Sequence, residues 1–181
     1  MTTEFKLDFN GKRIWMYWPG TKACQFKENV EKGFMACGLP GGREVGDLNE
    51  IMSVRGGLTA ALNEAYDYGR IAGGEKLLRE FANVMKEGDF VIARSDFDYI
   101  VGIGIVTGDY YYDESRSDFR HCREVEWIST ERLPFLDEFK DPGKWHRVTN
   151  IDKHFRKIAE QLIIAICEGN CFFDDFYIPL F

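Results

Sequence analysis

Six aromatic rings stand where this chain is expected to turn. Trp15, Tyr17 and Trp18 precede Pro19-Gly20, and Tyr110, Tyr111 and Tyr112 follow a glycine-containing apolar stretch. Such rings fill cores, and they also stack on flat ligands such as nucleobases. Just beyond the second cluster come Arg116, Arg120, His121 and Arg123, the compact basic run of an otherwise acidic chain. A cation beside an aromatic slot can hold an unpaired nucleotide. Stacking contributes roughly 1–3 kcal/mol per base while the cation follows the phosphates. The ordinary alternatives are core packing for the rings and a solvated loop for the arginines.

Other chemistries fit the residues less well. Gly69 to Lys76 approaches a phosphate-binding loop, but Glu75 stands where the lysine is needed and would repel phosphate. Gly102-Ile103-Gly104 lacks the third glycine of a dinucleotide fingerprint and lies in a strand, where glycine marks a bulge or a close backbone approach. His121, His146 and His154 are dispersed, and Cys167 and Cys171 have no histidine beside them, so neither a metal nor another cofactor is expected. Glu138-Phe139-Lys140 has the Glu-x-Lys spacing of a metal-dependent nuclease, with Asp113 or Asp118 as the upstream acid. That motif falls in an acidic, proline-containing connection rather than on a strand. No Ser-His-Asp or Cys-His arrangement stands out. The expectation is a binding domain, not an enzyme.

The elements that must position these residues follow from pattern. Strands are expected at 13–18, 34–39, 89–94, 99–107 and 120–128, where β-branched and aromatic residues cluster. Tyr110 to Asp118 reads as a loop. In the last strand Cys122, Glu124 and Glu126 alternate with Arg123, Val125 and Trp127, so one face is wet. Helices are expected at 23–32, capped by Gly33, at 58–68 and at 75–85. The clearest helix is 151–168, with an apolar stripe from Ile151 to Ile166, Asn150 as N-cap and Gly169 as its stop. Strands and helices come in blocks, which favours an α+β fold with a small mixed or barrel-like sheet.

Composition sets the outer limits. The 181 residues are 45% hydrophobic and 15% aromatic, enough for a single domain over 1–181 with a full core. A formal net charge of −7 counts against a stand-alone DNA binder that neutralises many phosphates, though not against a domain that reads one base. Five scattered cysteines without a Cys-x-x-Cys pair suggest free thiols and a cytoplasmic setting. Met1-Thr2-Thr3-Glu4 lacks a signal-peptide profile, and the longest aliphatic run is too short to span a bilayer.

The segment from Gly88 to Trp127 carries a family resemblance. Gly88-Asp89-Phe90-Val91-Ile92-Ala93, then Ile100 to Val106, then Tyr110 to Asp113 with Arg116, Phe119, His121, Arg123, Val125 and Trp127 resemble the EVE-like domains of the PUA superfamily. The likeness is greatest to those at the N-terminus of McrB-type restriction GTPases. Trp15 before Pro19-Gly20, the Phe34-to-Gly38 strand and Gly46-Asp47-Leu48 agree in order. Leu39 stands where the second strand of such domains often ends in a tryptophan. The resemblance covers a core of about residues 13–128, with 145–181 as a C-terminal helical extension. It implies a small curved β-barrel flanked by helices, and a pocket that receives a base swung out of the duplex, often a methylated cytosine or adenine. It points to Trp15 as the stacking wall, Tyr17, Trp18 and Tyr111 as further walls, Asp47 and Ser95 as readers of the base edge, and Arg116, Arg120 and Arg123 as phosphate contacts. The expected partner is DNA, together with a downstream AAA+ GTPase domain and a nuclease subunit. A reader of RNA or modified nucleotides without a restriction role is the alternative.

Overall fold

The computed structural model describes residues 7–39, 43–66, 73–139 and 147–169. Extended, apolar segments give strands β1 (Ile14–Tyr17), β2 (Phe34–Cys37), β3 (Phe90–Ser95), β4 (Tyr99–Tyr112), β5 (His121–Ser129), β6 (Leu133–Pro134) and β7 (Val148–Asn150). They form one mixed sheet in the order β2-β5-β4-β3-β1-β7, with β6 paired to β4. β1 and β3 run parallel, and the other pairs are antiparallel. The helices are α1 (Phe26–Lys32), α2 (Leu48–Ser53), α3 (Gly57–Ala65), α4 (Gly74–Arg79, continued by a π turn over Glu80–Val84) and α5 (Lys153–Cys167). The α+β expectation holds.

Alternation along β1 and β3 divides the core. Trp15, Tyr17, Val91 and Ala93 face α2, α3 and α4, meeting Leu48, Leu58, Leu62, Leu78 and Phe81. Ile14, Met16, Phe90 and Ile92 face the other way, under Ala159, Leu162, Ile163 and Ile166 of α5. Strands covered on both faces read as unbroken apolar runs rather than alternating ones. β1, buried at every position, does so, and β3 does from Phe90 to Ala93 before Arg94 and Ser95.

The sheet curls because β4 bends. Its register against β5 shifts between Ile103 and Gly104 and again between Val106 and Tyr110. Bulges of this kind kink a strand and increase its twist. Gly102 lets α1 settle on the strand: a Cβ there would lie 2.3 Å from Phe26 Cζ and 3.0 Å from the Ser129 carbonyl. The curl brings the two sides of the sheet together. Tyr17 Oη donates to the Ala36 carbonyl at 3.0 Å, and Arg147 Nη1 donates to the Gly38 carbonyl at 2.8 Å. A seam therefore runs between the β1–β7 side and β2.

Several elements differ from the expectation. Tyr110, Tyr111 and Tyr112 continue β4 and pair with Arg123, Cys122 and His121. The glycines hide this continuity from a propensity reading. Between β5 and α5 lie β6, β7 and a 3-10 turn (Asp137–Phe139) where a plain connection is expected. Asn150 belongs to β7; the N-cap of α5 is Asp152, whose Oδ1 accepts from His154 N–H at 2.9 Å. Gly33 caps α1 in the left-handed conformation, as expected. Glu124 and Glu126 form the wet face of β5, but Cys122 on that face is buried against Phe34 and Ala36. No helix among the described residues is long and apolar enough to cross a membrane.

Candidate functional site at the sheet seam

The seam is built from residues just outside the strands. Trp18 follows β1, Gly38 follows β2, Asp96 follows β3, Phe119 precedes β5 and Arg147 precedes β7. The Arg147 guanidinium carbon lies 5.2 Å from the Trp18 ring centroid and 5.3 Å from that of Phe119. A planar cation thus sits between two aromatic rings. Trp18 is fixed by Asp96, whose Oδ1 accepts from the indole N–H at 2.9 Å and whose Oδ2 accepts from Lys22 N–H at 3.0 Å. Gly38 brings β2 close to this group, because a Cβ there would lie 3.2 Å from Phe119 Cα.

Backbone strain gathers at the same place. Lys22, Asp96 and Phe119 have φ values of 54°, 49° and 50°, and the neighbouring Ala23 has 55°. These four are the non-glycine residues with positive φ among those described. Each such residue costs of order 1 kcal/mol or more and persists where surrounding contacts hold it, often at ligand sites. Arg94 donates to the Asp96 carbonyl and helps hold that turn.

The residues expected from sequence separate into those at the seam and those in the framework. Trp15 is fully buried, and its indole N–H donates to Asp89 Oδ2 at 2.8 Å. Its placement corrects the stacking-wall expectation, since neither face of the ring is open to a base. Tyr17 is also fully buried; its hydroxyl accepts from Asn29 Nδ2 and the Ala36 N–H while donating to the Ala36 carbonyl. Asp47 is the N-cap of α2, accepting from Asn49 N–H at 2.9 Å. Ser95 is buried at the end of β3, and Tyr111 is exposed on β4. Of the expected walls, Trp18 alone belongs to the group around Arg147, while Tyr17 spans the seam from within the core.

The arginines sort in the same way. Arg116 makes a two-point contact with Glu28, at 3.0 and 3.1 Å, and lies over the Phe34 ring. Arg123 is buried and donates to the carbonyls of Phe81, Ala82 and Gly108. It thereby satisfies carbonyls that the end of the π turn leaves open, so its phosphate role is corrected to a structural one. Arg120 donates to the Arg116 carbonyl at 2.7 Å and remains at the surface. Asp113 is engaged by Ser115, and Asp118 lies 3.5 Å from Gln25 Nε2. Lys140 of the Glu-x-Lys motif lies outside the described residues, as does His146. Among the described residues no cluster of histidine, cysteine, aspartate and glutamate could hold a metal ion.

A polar network lies behind the seam. His121 is buried, with Nδ1 3.0 Å from the Tyr110 hydroxyl and Nε2 3.5 Å from Glu44 Oε2. The Tyr110 hydroxyl accepts from Leu48 N–H at 3.1 Å. Burial lowers the His121 pKa to about 4, and burial raises that of Glu44, so their contact is not an ion pair. Between pH 6.5 and 4 the unfolded chain carries the extra proton on histidine, and stability falls with pH in that window. Glu44 opposes this, because its raised pKa favours the folded state as acid is added. The His121 shift alone corresponds to a loss of about 3 kcal/mol across that window, which Glu44 offsets in part. Urea unfolding at a series of pH values checks it, and His121→Gln should flatten the slope.

Residues 19–150 match a family model described as a domain of unknown function, DUF8426. The chain belongs to this family. The DUF8426 match takes in Lys22, Asp96, Phe119 and Arg147 and begins one residue after Trp18. No curated protein matches the chain. Among solved structures, it is similar to the YTH domain of MRB1 from Zygosaccharomyces rouxii in complex with N6-methyladenosine RNA. Identity is 13%, covering 83% of this chain and 86% of that one, with a TM-score of 0.45. The Pho92 YTH domain in complex with m6A is 13% identical over 90% of both chains, with a TM-score of 0.48. Rpa0253 from Rhodopseudomonas palustris is 14% identical over 91% of this chain and 99% of its own, with a TM-score of 0.43. Likeness at this level assigns no ligand to the DUF8426 chain.

Proposed function

We propose that this DUF8426 chain is a binding domain, without catalysis of its own, that receives a modified base swung out of DNA at the seam. The observation that carries the reading is the Trp18–Arg147–Phe119 stack. It sets flat apolar faces and a cation side by side, and the strained residues Lys22, Asp96 and Phe119 hold it in place. Extruding a base costs a few kcal/mol, which stacking and hydrogen bonds in a snug site recover. One added methyl group contributes about 1–3 kcal/mol of discrimination.

The sequence resemblance supports the finer parts of the proposal. A McrB-like restriction system would place the domain beside an AAA+ GTPase and a nuclease subunit in the cytoplasm. Fluorescence anisotropy with duplexes carrying 5-methylcytosine, N6-methyladenine or neither, at one fixed salt concentration, tests the reading. Preference for one methylated duplex by about tenfold is expected. Equal binding to all duplexes, with tighter binding to single-stranded RNA, would overturn the DNA reading.

A further inference from the structure

Arg147 is a cation at the seam that forms no ion pair among the described residues. Arg116 is held by Glu28, and Arg123 by three backbone carbonyls. Arg147 donates one bond, to the Gly38 carbonyl, and among the described residues no carboxylate lies in ion-pair range of it. Its remaining N–H groups, on Nε and Nη2, have no bonding partner among the described residues. The side chain is partly buried, and that burial lowers its pKa. Its guanidinium also lies over the rings of Trp18 and Phe119.

We infer that Arg147 binds a phosphate group of the nucleotide whose base enters the seam. The inference rests on the base-binding reading above and adds the partner of one named cation. A partly desolvated charge without a counter-ion is unfavourable, and an arriving anion relieves that cost. The guanidinium fork matches two phosphate oxygens, and charge-assisted pairs of this geometry are the strong ones. The flanking rings and the Gly38 bond hold the fork in place, so little side-chain freedom is lost on binding. Guanine O6 and N7 fit the same fork, but they carry no charge and would leave the cation uncompensated. In a chain of net charge −7, a phosphate contact needs a cation that the protein has not itself paired.

The test has two arms. In the first, the chain and its Arg147→Ala and Arg147→Lys variants are titrated with a methylated duplex across a salt series. Arg147→Ala should bind about tenfold more weakly at low salt, and the slope of log K against log salt should shrink by about 0.9, whatever base is offered. Arg147→Lys should keep most of the slope. An unchanged slope, or a loss confined to guanine-containing sites, would overturn the inference. In the second arm, the Arg147 Nε–H resonance of the unmutated chain is followed by nuclear magnetic resonance. It should move with inorganic phosphate and with a nucleoside 5′-monophosphate, and stay still with the nucleoside. A response to the nucleoside alone overturns the phosphate assignment while sparing the base reading. A response to phosphate in a chain that binds no duplex upholds the anion site and removes the base reading.

Discussion

Trp15→Ala is expected to lower folding stability by about 4 kcal/mol, the usual scale for deleting a large ring from a packed core. The ring is fully buried within the cluster that joins β1 and β3 to α2, α3 and α4. Its loss would open a cavity and remove one of three hydrogen bonds to Asp89, a buried carboxylate that keeps those from Arg13 N–H and Lys86 N–H. Loss of that hydrogen bond to a charged acceptor adds roughly 1.5–3 kcal/mol. Trp15→Phe keeps most of the volume and loses the hydrogen bond, so it should fall between the two. Urea denaturation of the three proteins checks this ranking. A variant that keeps full stability yet loses preference for a methylated base would return Trp15 to the binding site.

Trp18→Ala should do the reverse. Its ring is half-buried at the seam, and its indole is tied to Asp96, a residue in an exposed turn. We expect stability to change by about 1 kcal/mol, the scale of one hydrogen bond. Affinity for the preferred duplex should fall on the order of 100-fold, the upper range for one stacked base. Part of that loss comes through Arg147, whose guanidinium would lose one of its two flanking rings. Parallel thermal melts and anisotropy titrations separate the two effects. Unchanged affinity in a folded Trp18→Ala protein would remove the seam as the base site.

Those paired outcomes mark how far the sequence was legible. Alternation along β1 puts Trp15 and Tyr17 on one face, and an α+β fold with a mixed or barrel-like sheet follows from the blocks of strands and helices. Which face holds a pocket is not written in alternation, because β1 is covered on both sides. The α2–α4 helices fill the face that resembles a binding wall. The basic run misleads for a related reason. Arg116 and Arg123 look available in sequence, but Glu28 is 88 residues from Arg116 and the Phe81 carbonyl is 42 from Arg123. Pairings at that range carry no local signal. Arg147 is unmarked for the converse reason: its neighbours Trp18, Gly38 and Phe119 reach it only once the sheet has curled. Phe119 was visible as part of the resemblance, though its strained backbone was not.

The parallel pairing of β1 with β3 has a consequence for how the chain is made. β1 leaves the ribosome before its partners: the acceptor for the Trp15 indole lies 74 residues later, and the second edge of β1 waits for Val148–Asn150. Until then the four consecutive apolar residues of Ile14–Tyr17 have no sheet to enter. Loop-closure entropy must be met before such distant contacts stabilise anything, which makes assembly of this kind slow. β1 is therefore synthesised before either strand it pairs with, and it is among the last parts of the sheet to be secured. During that interval its exposed backbone is a template on which two nascent copies could pair.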